Sequence, residues 1–531
     1  MSISRILPMQ NLNNLPSERL FEWRAMDLFN LLIYFCCLYL LIHFMSDESK
    51  NLFQHRMIVL VATIGVWRYS WWFINLIRAL VYEFTTFPAL RKQADKLQNS
   101  DWKPPHIYFV IASYKEKKET TEALLECMLR ECRSTNVPAT LYLSADTQDE
   151  KIVRHYVQQH VGDTEFQVIA IRQTLPDKRI ALGQCLRSLS RNGVIKDCPI
   201  ILMDGDALMT VGTLQKCIPF FHLNPDLQAL TTDEKAIFNG PKWMAEMTEL
   251  RFAQRHLMMQ SHALSKRVLT LTGRLSMFRS QVITAPDFIE RLENDYLDHW
   301  LWGRFRFLSG DDKSTWYLLL RNKAEMLYVR DAMVYTVEHI SGNGFQRTLQ
   351  NLLRWSGNML RNNGRAIALG PNKVPPYIWW CLIDQRLVIW TSLVSPIAAI
   401  LLTTKIGWSF FMVYLAWIGI TRIGISLFIF RYAGRINLSF PFLIYVLQVT
   451  NAIIKIYILF RLPRQRWTNR SNSAAIQSTG DKLWIKHLMA GYLTLFYTSA
   501  LVIFLALYTG TLQTYSWLEI IRGLKQLFGF Y

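Results

Sequence analysis

Apolar residues along this chain fall into two regimes. In six windows they run almost unbroken, at residues 27–44, 57–84, 377–402, 410–430, 440–460 and 487–508. A hydrocarbon core about 30 Å thick takes roughly 20 residues of helix, so most of these windows predict membrane-spanning helices. Between the second and the third, from about residue 88 to 372, short apolar runs alternate with amphipathic stretches. Residues 106–113 (HIYFVIAS), 139–143, 165–171 and 199–203 read as strands, and 116–133, 149–161 and 180–191 as helices. That β-α-β-α order predicts an α/β domain with a mostly parallel sheet and ligands held beyond the carboxyl ends of its strands. The expected organisation is therefore an N-terminal part (1–87) with two spanning helices and an α/β domain (88–372) with interfacial helices. A C-terminal part (373–531) follows, with about three spans and one interfacial or re-entrant segment near 438–461.

Charge refines the topology. Among 531 residues, 59 Lys and Arg face 40 Asp and Glu, a net charge of +19, and 51% of residues are hydrophobic. The cations are scattered or flank apolar windows, which points to lipid headgroups as partners and away from nucleic acid. Arg5, Arg19 and Arg24 precede the first window and place the N-terminus inside; two spans then return the α/β domain to the cytoplasm. Windows 377–402 and 410–430 go out and back, leaving Arg431 and Arg435 inside. A crossing at 440–460 would put the densest basic run, 461–470 (RLPRQRWTNR), outside. That window also carries Pro441, Gln448, Asn451 and Lys455, unusual for a lipid-facing helix. It is expected to lie along the interface or re-enter, keeping 461–486 cytoplasmic. The first 25 or so residues are polar and lack the apolar core of a cleavable signal. The eight cysteines contain no Cys-x-x-Cys pair and read as reduced and structural.

Two acidic motifs carry the chemistry. Asp204-Gly205-Asp206 ends the 199–203 run, so two carboxylates stand at a strand tip, where Mg²⁺ or Mn²⁺ is held together with a nucleotide diphosphate. Gly310-Asp311-Asp312-Lys313 precedes a helical stretch, 314–320. One of its carboxylates can act as general base towards an acceptor hydroxyl, and Asp is equally favoured as a helix cap. Ser113-Tyr114-Lys115 ends the first strand, where a nucleotide base and ribose would sit, and Asp146 after the second can accept from a base or ribose hydroxyl. Lys178-Arg179 stands at a helix start, a position suited to a diphosphate. Arg354-Trp355 lies in a basic helical stretch, 345–361; the indole offers a platform for a sugar ring and the Arg can reach phosphate, although an amphipathic interfacial helix would look the same.

These motifs, in this order, resemble the family 2 inverting glycosyltransferases that polymerise sugars and extrude the chain, the cellulose, chitin and hyaluronan synthases among them. The resemblance covers nearly the whole chain and implies a GT-A type catalytic domain, with Asp204 and Asp206 on the metal-nucleotide and Asp312 as base beside Asp311. It also implies a Gln-x-x-Arg-Trp motif on an interfacial helix. Here Arg354-Trp355 fits, but Asn351 stands in the Gln slot with Gln350 one place early, and Lys313 replaces the Arg of many relatives. The stretches 65–70 (GVWRYS), 251–256 (RFAQRH), 263–270 (ALSKRVLT), Thr272-Gly273-Arg274, 310–314 (GDDKS) and 417–422 (WIGITR) look like the mannuronan-synthase branch of that family. That branch implies GDP-mannuronate as donor, a growing β-1,4 chain as acceptor and product, with Thr272, Gly273, Arg274, Lys313 and Trp355 on the acceptor side. It implies a bacterial inner-membrane location, a PilZ-domain partner that binds cyclic di-GMP, and an envelope export complex. A polyuronate carries a carboxylate on every sugar. Arg251, Arg255, His256, Lys266, Arg267 and Arg274 crowd the segment between the acidic motifs, as a polyanion path would require, although pairing of some with Glu246, Glu249 or lipid phosphates would look the same. A synthase using a UDP-sugar, a single-sugar transferase acting on a lipid carrier and a non-catalytic scaffold are the rival readings.

Overall fold

The computed structural model describes residues 9–48, 56–100, 102–173, 177–340, 342–465 and 483–512. The four predicted strands form as β1 (Ile107–Ala112), β2 (Ala139–Ala145), β3 (Phe166–Arg172) and β4 (Pro199–Asp204). Phe109, Val110, Ile200 and Ile201 are fully buried, which is why β1 and β4 read as unbroken apolar runs: helices cover both faces. These strands pair in parallel in the order β3-β2-β1-β4. Beyond β4 the sheet continues through β7 (Leu275–Arg279), β6 (Leu227–Asn239), β10 (Glu325–His339) and the short edge strand β5 (Ala207–Met209). The β4-β7, β7-β6 and β10-β5 pairs are antiparallel and β6-β10 is parallel, so the sheet is mixed but mostly parallel. A separate hairpin joins β8 (Tyr296–His299) to β9 (Gly303–Arg306). From β1 the chain winds towards β2 and β3 on one side and reaches β4 on the other. The crevice beyond β1 and β4 is thus a topological switch point, where open α/β sheets bind ligands. Ala112 and Asp204 are register partners there.

Among the described residues, five helices are long and apolar enough to cross a membrane: Ala25–Met45, Pro376–Ile406, Trp408–Ala433, Phe440–Leu459 and Leu483–Tyr508. Helix Arg56–Val81, the second expected span, is not one of the five; it carries Arg68 and Arg78. Ionisable groups in such helices turn towards protein partners rather than lipid. Arg68 Nη1 lies 2.5 Å from Asp384 Oδ1, and Arg422 donates to Gln448 Oε1 at 2.7 Å. The polar residues that made 440–460 look unlike a lipid-facing helix therefore have an internal partner in at least Gln448. Most of the basic run and its continuation, 466–482, lies outside the described residues.

A buried latch ties the N-terminal segment to the sheet. Arg19 reaches Asp233 on β6 at 2.5 Å and donates to the Tyr432 carbonyl at 2.6 Å, joining β6 to the end of helix Trp408–Ala433. Asp233 also accepts from the Tyr328 hydroxyl at 2.8 Å and sits 3.0 Å from His256 Nδ1. Burial works to raise the Asp233 pKa, but Arg19 and His256 outweigh it and hold the carboxyl well below its usual range. Asp233→Asn strands a buried guanidinium and is expected to cost about 3–5 kcal/mol of stability. Thermal unfolding of the detergent-solubilised protein reads this as a lower midpoint; an unchanged midpoint would remove the latch from the account.

Candidate active site

The two acidic motifs meet through one lysine. Asp177 caps helix Lys178–Arg191, accepting from the Arg179 and Ile180 amides, and so sets the first side chain of that helix at the crevice. From there Lys178 Nζ donates to Asp204 Oδ1 at 2.6 Å and lies 2.9 Å from Asp311 Oδ2. Asp204 is the last residue of β4, and Asp311 the first of helix Asp311–Arg321. Gly310 turns the chain into that helix at φ 82°, where a Cβ would lie 2.8 Å from Asn358 Cγ, so glycine is required both by conformation and by space. Lys178, Thr272, Gly273, Asp311 and Asp312 line one narrow pocket. A Cβ on Gly273 would stand 3.0 Å from Asp204 Oδ2, so the backbone there presses directly on the first acidic motif.

The carboxylates differ in basicity. Burial opposes the charged form of Asp311, but Lys178 and Arg179 overcome it and hold the pKa low. At Asp312 burial and then the charge of Asp311 push the pKa up to about 6. Neighbouring carboxyls driven apart in this way separate a permanently charged group from a proton carrier. Asp206 is likewise raised, to about 6, by burial and by Asp204, and its Oδ2 accepts from the Thr336 hydroxyl at 3.3 Å. Burial works against the charge on Lys178, yet Asp204 and Asp311 keep its pKa above the ordinary value.

The other expected site residues divide by place. Ser113 donates to Asp149 Oδ2 at 2.6 Å, while Asp146 caps helix Thr147–His160 through the Gln148 and Asp149 amides, at the ends of β1 and β2. Lys115, at φ 56°, holds its ammonium 5.4 Å from the Tyr114 ring centroid. Arg179 is fully buried and donates to the Leu292 and Ser309 carbonyls and to Ser314 Oγ; it braces the Asp311 helix from behind. Lys313 donates to the Leu269 carbonyl at 2.7 Å, and burial lowers its pKa to about 8. Helix Gly344–Ala368 presents Arg354, which donates to Asn351 Oδ1 at 3.5 Å, so the residue in the departed Gln slot contacts the Arg of its own motif. The Trp355 ring is covered by the Arg251 guanidinium at 3.8 Å. Thr272 is tied inward, its hydroxyl donating to the Leu275 carbonyl at 3.0 Å.

The six cations do not form one surface. Arg274 pairs with Glu234 at 2.6 Å and Glu338 at 3.4 Å, and Arg255 with Glu234 at 3.4 Å. Lys266 pairs with Glu325 at 2.9 Å and Arg267 donates to the Lys323 carbonyl. Glu325 and Glu338 stand near opposite ends of β10. Arg255 and Arg274 share Glu234, and the charges of Asp206 and Asp204 reach Arg274; His256 belongs to the latch. Sequence reasoning missed the double pairing of Lys178, the part of Asp149, and Glu234 and Glu338 under Arg274. Two consecutive acids, Asp233-Glu234, inside a run otherwise fit for a strand were the available signal for part of this.

Among the described residues no group of three or more His, Cys, Asp or Glu side chains could hold a metal by itself. Two carboxylates at a strand end, completed by phosphate oxygens of a substrate, are nevertheless the donor set that Mg²⁺ or Mn²⁺ takes in nucleotide sites, and Asp204 and Asp206 fit it.

A family model described as glycosyltransferase like family 2 matches residues 104–358. The chain is 35% identical to glycosyltransferase alg8 of Pseudomonas syringae pv. tomato, over 83% of this chain and 88% of that one. It is 33% identical to glycosyltransferase alg8 of Azotobacter vinelandii, over 87% of this chain and 93% of that one. Among solved structures, the mannosyltransferase PcManGT from Pyrobaculum calidifontis in complex with GDP-Man and Mn²⁺ matches at 17% identity and a TM-score of 0.41, covering 68% of this chain and 97% of that one.

Proposed function

Since this chain belongs to the family 2 glycosyltransferases, within the Alg8 family, we propose that it polymerises mannuronate from GDP-mannuronate into β-1,4-linked mannuronan, the alginate precursor. The chain is a membrane-associated glycosyltransferase with a GT-A-like domain. The convergence of both acidic motifs on Lys178 brings donor-side and acceptor-side carboxylates to one lysine and supports sugar transfer, and the likeness to the two alg8 glycosyltransferases supports the choice of substrate. Asp312 takes the proton of the acceptor hydroxyl as its oxygen attacks the anomeric carbon from the face opposite the departing GDP. Asp204 and Asp206 would hold a divalent ion, which would neutralise charge on the diphosphate. Lys178, already charged and aimed at Asp204, stands where it can meet a phosphate oxygen. Ser113, Tyr114 and Asp146 lie at the strand ends suited to base and ribose.

Arg274, Lys313, Thr272, Gly273 and Trp355 line the acceptor side in this reading. Arg274→Ala is expected to lower polymer output by about tenfold or more, the equivalent of one charged hydrogen bond, while GDP binding stays unchanged. Equal polymer yield would remove Arg274 from the acceptor path.

The catalytic domain faces the cytoplasm of a bacterial inner membrane, with Phe440–Leu459 along the interface or re-entrant and residues 461–470 inside. Labelling of cysteines introduced at 461–470 from outside intact cells would overturn that topology. The product leaves through the membrane helices towards an export complex, and a separate PilZ-domain chain that binds cyclic di-GMP controls activity. The deciding experiment compares GDP-mannuronate with UDP-sugars in inverted membrane vesicles, with and without cyclic di-GMP and partner. Uronate-lyase-sensitive polymer from GDP-mannuronate alone supports the reading. Polymer from a UDP-sugar, or a single sugar on a lipid carrier, refutes the substrate or the processive assignment.

A further inference from the structure

Far along helix Gly344–Ala368 from Arg354, a cavity of about 660 Å³ opens between that helix, helices Pro376–Ile406 and Leu483–Tyr508, and the β8-β9 hairpin. Three guanidinium groups line it, those of Arg361, Arg365 and Arg386. Arg365 is neutralised by a bidentate pair with Asp295, at 2.6 and 2.8 Å. The other two form no ion pair with a carboxylate among the described residues. Arg361 is 2% exposed; it donates to the Leu462 carbonyl at 2.9 Å, to Ser309 Oγ at 3.4 Å and to Asn358, and its Nε has no partner among the described residues. Arg386 donates to Asn363 Oδ1 at 2.6 Å and to the Leu360 carbonyl at 2.7 Å. The one acid of the lining, Asp298, is exposed to water.

The cations are built in. A Cβ on Gly357 would lie 3.0 Å from Arg361 Nη1, and one on Gly364 would lie 3.1 Å from Arg386 Nη2. Glycine inside a helix costs about 1 kcal/mol relative to alanine, and here both glycines make room for guanidinium groups. Buried cations without counter-ions are unfavourable, and an anion that enters the cavity relieves that. Burial, and then the nearby Arg179 and Arg365, push Arg361 down to about 9.

The rest of the wall says which anion. Trp300, Trp390, Phe460 and Tyr497 supply aromatic rings, with Phe460 and Tyr497 stacked at 5.4 Å and Trp390 6.2 Å from Tyr497. Trp390 and Tyr497 lie in helices long and apolar enough to cross the membrane. Basic pockets between membrane-length helices bind anionic lipid head groups, and aromatic rings in the same wall suit the apolar part of such a molecule. We propose that this cavity binds the phosphate head of an anionic phospholipid, Arg361 and Arg386 taking the phosphate and the aromatic rings the glycerol and upper acyl chains. The inference is independent of the donor sugar assigned above.

The test is native mass spectrometry of the full chain in detergent, titrated with phosphatidylglycerol and phosphatidylcholine. The expected result is one retained phosphatidylglycerol, bound about tenfold more tightly than phosphatidylcholine, with that preference lost in Arg386→Gln. Trp300→Ala, whose ring is 75% exposed and whose loss leaves the fold unburdened, should weaken retention roughly threefold and serves if Arg386→Gln does not fold. Equal retention of the two lipids, or an unchanged preference in the folded variants, overturns the proposal. Displacement of the lipid by glycerol phosphate or by a mannuronate oligomer at comparable concentration also overturns it, assigning the cavity to a free anion or to sugar acids.

Discussion

Asp312→Asn is expected to lower polymer formation by about 10²- to 10⁴-fold, the contribution of a positioned general base, while GDP binding is retained. Asparagine keeps the shape of the side chain and of the helix start but cannot take a proton. The pH dependence supplies a second readout. A general base works as the carboxylate, and burial with the neighbouring Asp311 charge raises Asp312 to about 6. The wild-type rate should therefore fall as pH drops through about 6, well above the range of an ordinary Asp, and rise to a plateau on the alkaline side. The residual rate of the variant should lose the part of that limb that Asp312 supplies, the remainder following Asp206, which is also raised to about 6. Initial rates in inverted vesicles, beside GDP binding by calorimetry, measure both. A variant within a few-fold of wild type would move the base elsewhere.

Asp204→Asn should act on donor binding rather than on proton transfer. Asp204 is the group through which Lys178 is held at 2.6 Å, and in the proposed mechanism it also holds the divalent ion. The substitution leaves Lys178 with Asp311 alone and removes one of two carboxylates from the ion. Removing even an outer partner of a metal ligand weakens metal affinity by about 10- to 100-fold, so loss of a direct ligand should reach at least the upper end. GDP binding titrated with Mn²⁺ tests this: metal-dependent affinity and turnover should fall together. Metal-dependent GDP binding of wild-type strength would refute the metal role of the strand tip.

Much of this site was legible along the chain, for local reasons. The run 199–203 is apolar because β4 is covered on both faces, and the first polar residue after it must stand at the strand's carboxyl end, so Asp204 could be placed from sequence. The helix start at Asp311 was signalled by Gly310 and two acids before an amphipathic stretch. What could not be read was the fate of the cations. Arg274, read from the sequence as part of a polyanion path, meets Glu234 and Glu338, 40 and 64 residues away in the chain, and these partners could not be read locally. Lys266, eight residues before Arg274, pairs near the other end of β10.

The sequence by itself determined the first four strands and the helices between them, the separation of apolar windows from an α/β domain, and the position of each acidic motif at an element's end. These depend on the period of burial and on chain stiffness, which act over a few residues. The tertiary structure alone decided that Lys178 joins Asp204 to Asp311, that Arg19 locks onto Asp233, and that Arg361 and Arg386 share a cavity with no carboxylate paired to either among the described residues. Charges interact by distance in space, and that distance is set by strand order and helix packing across hundreds of residues rather than by any local pattern.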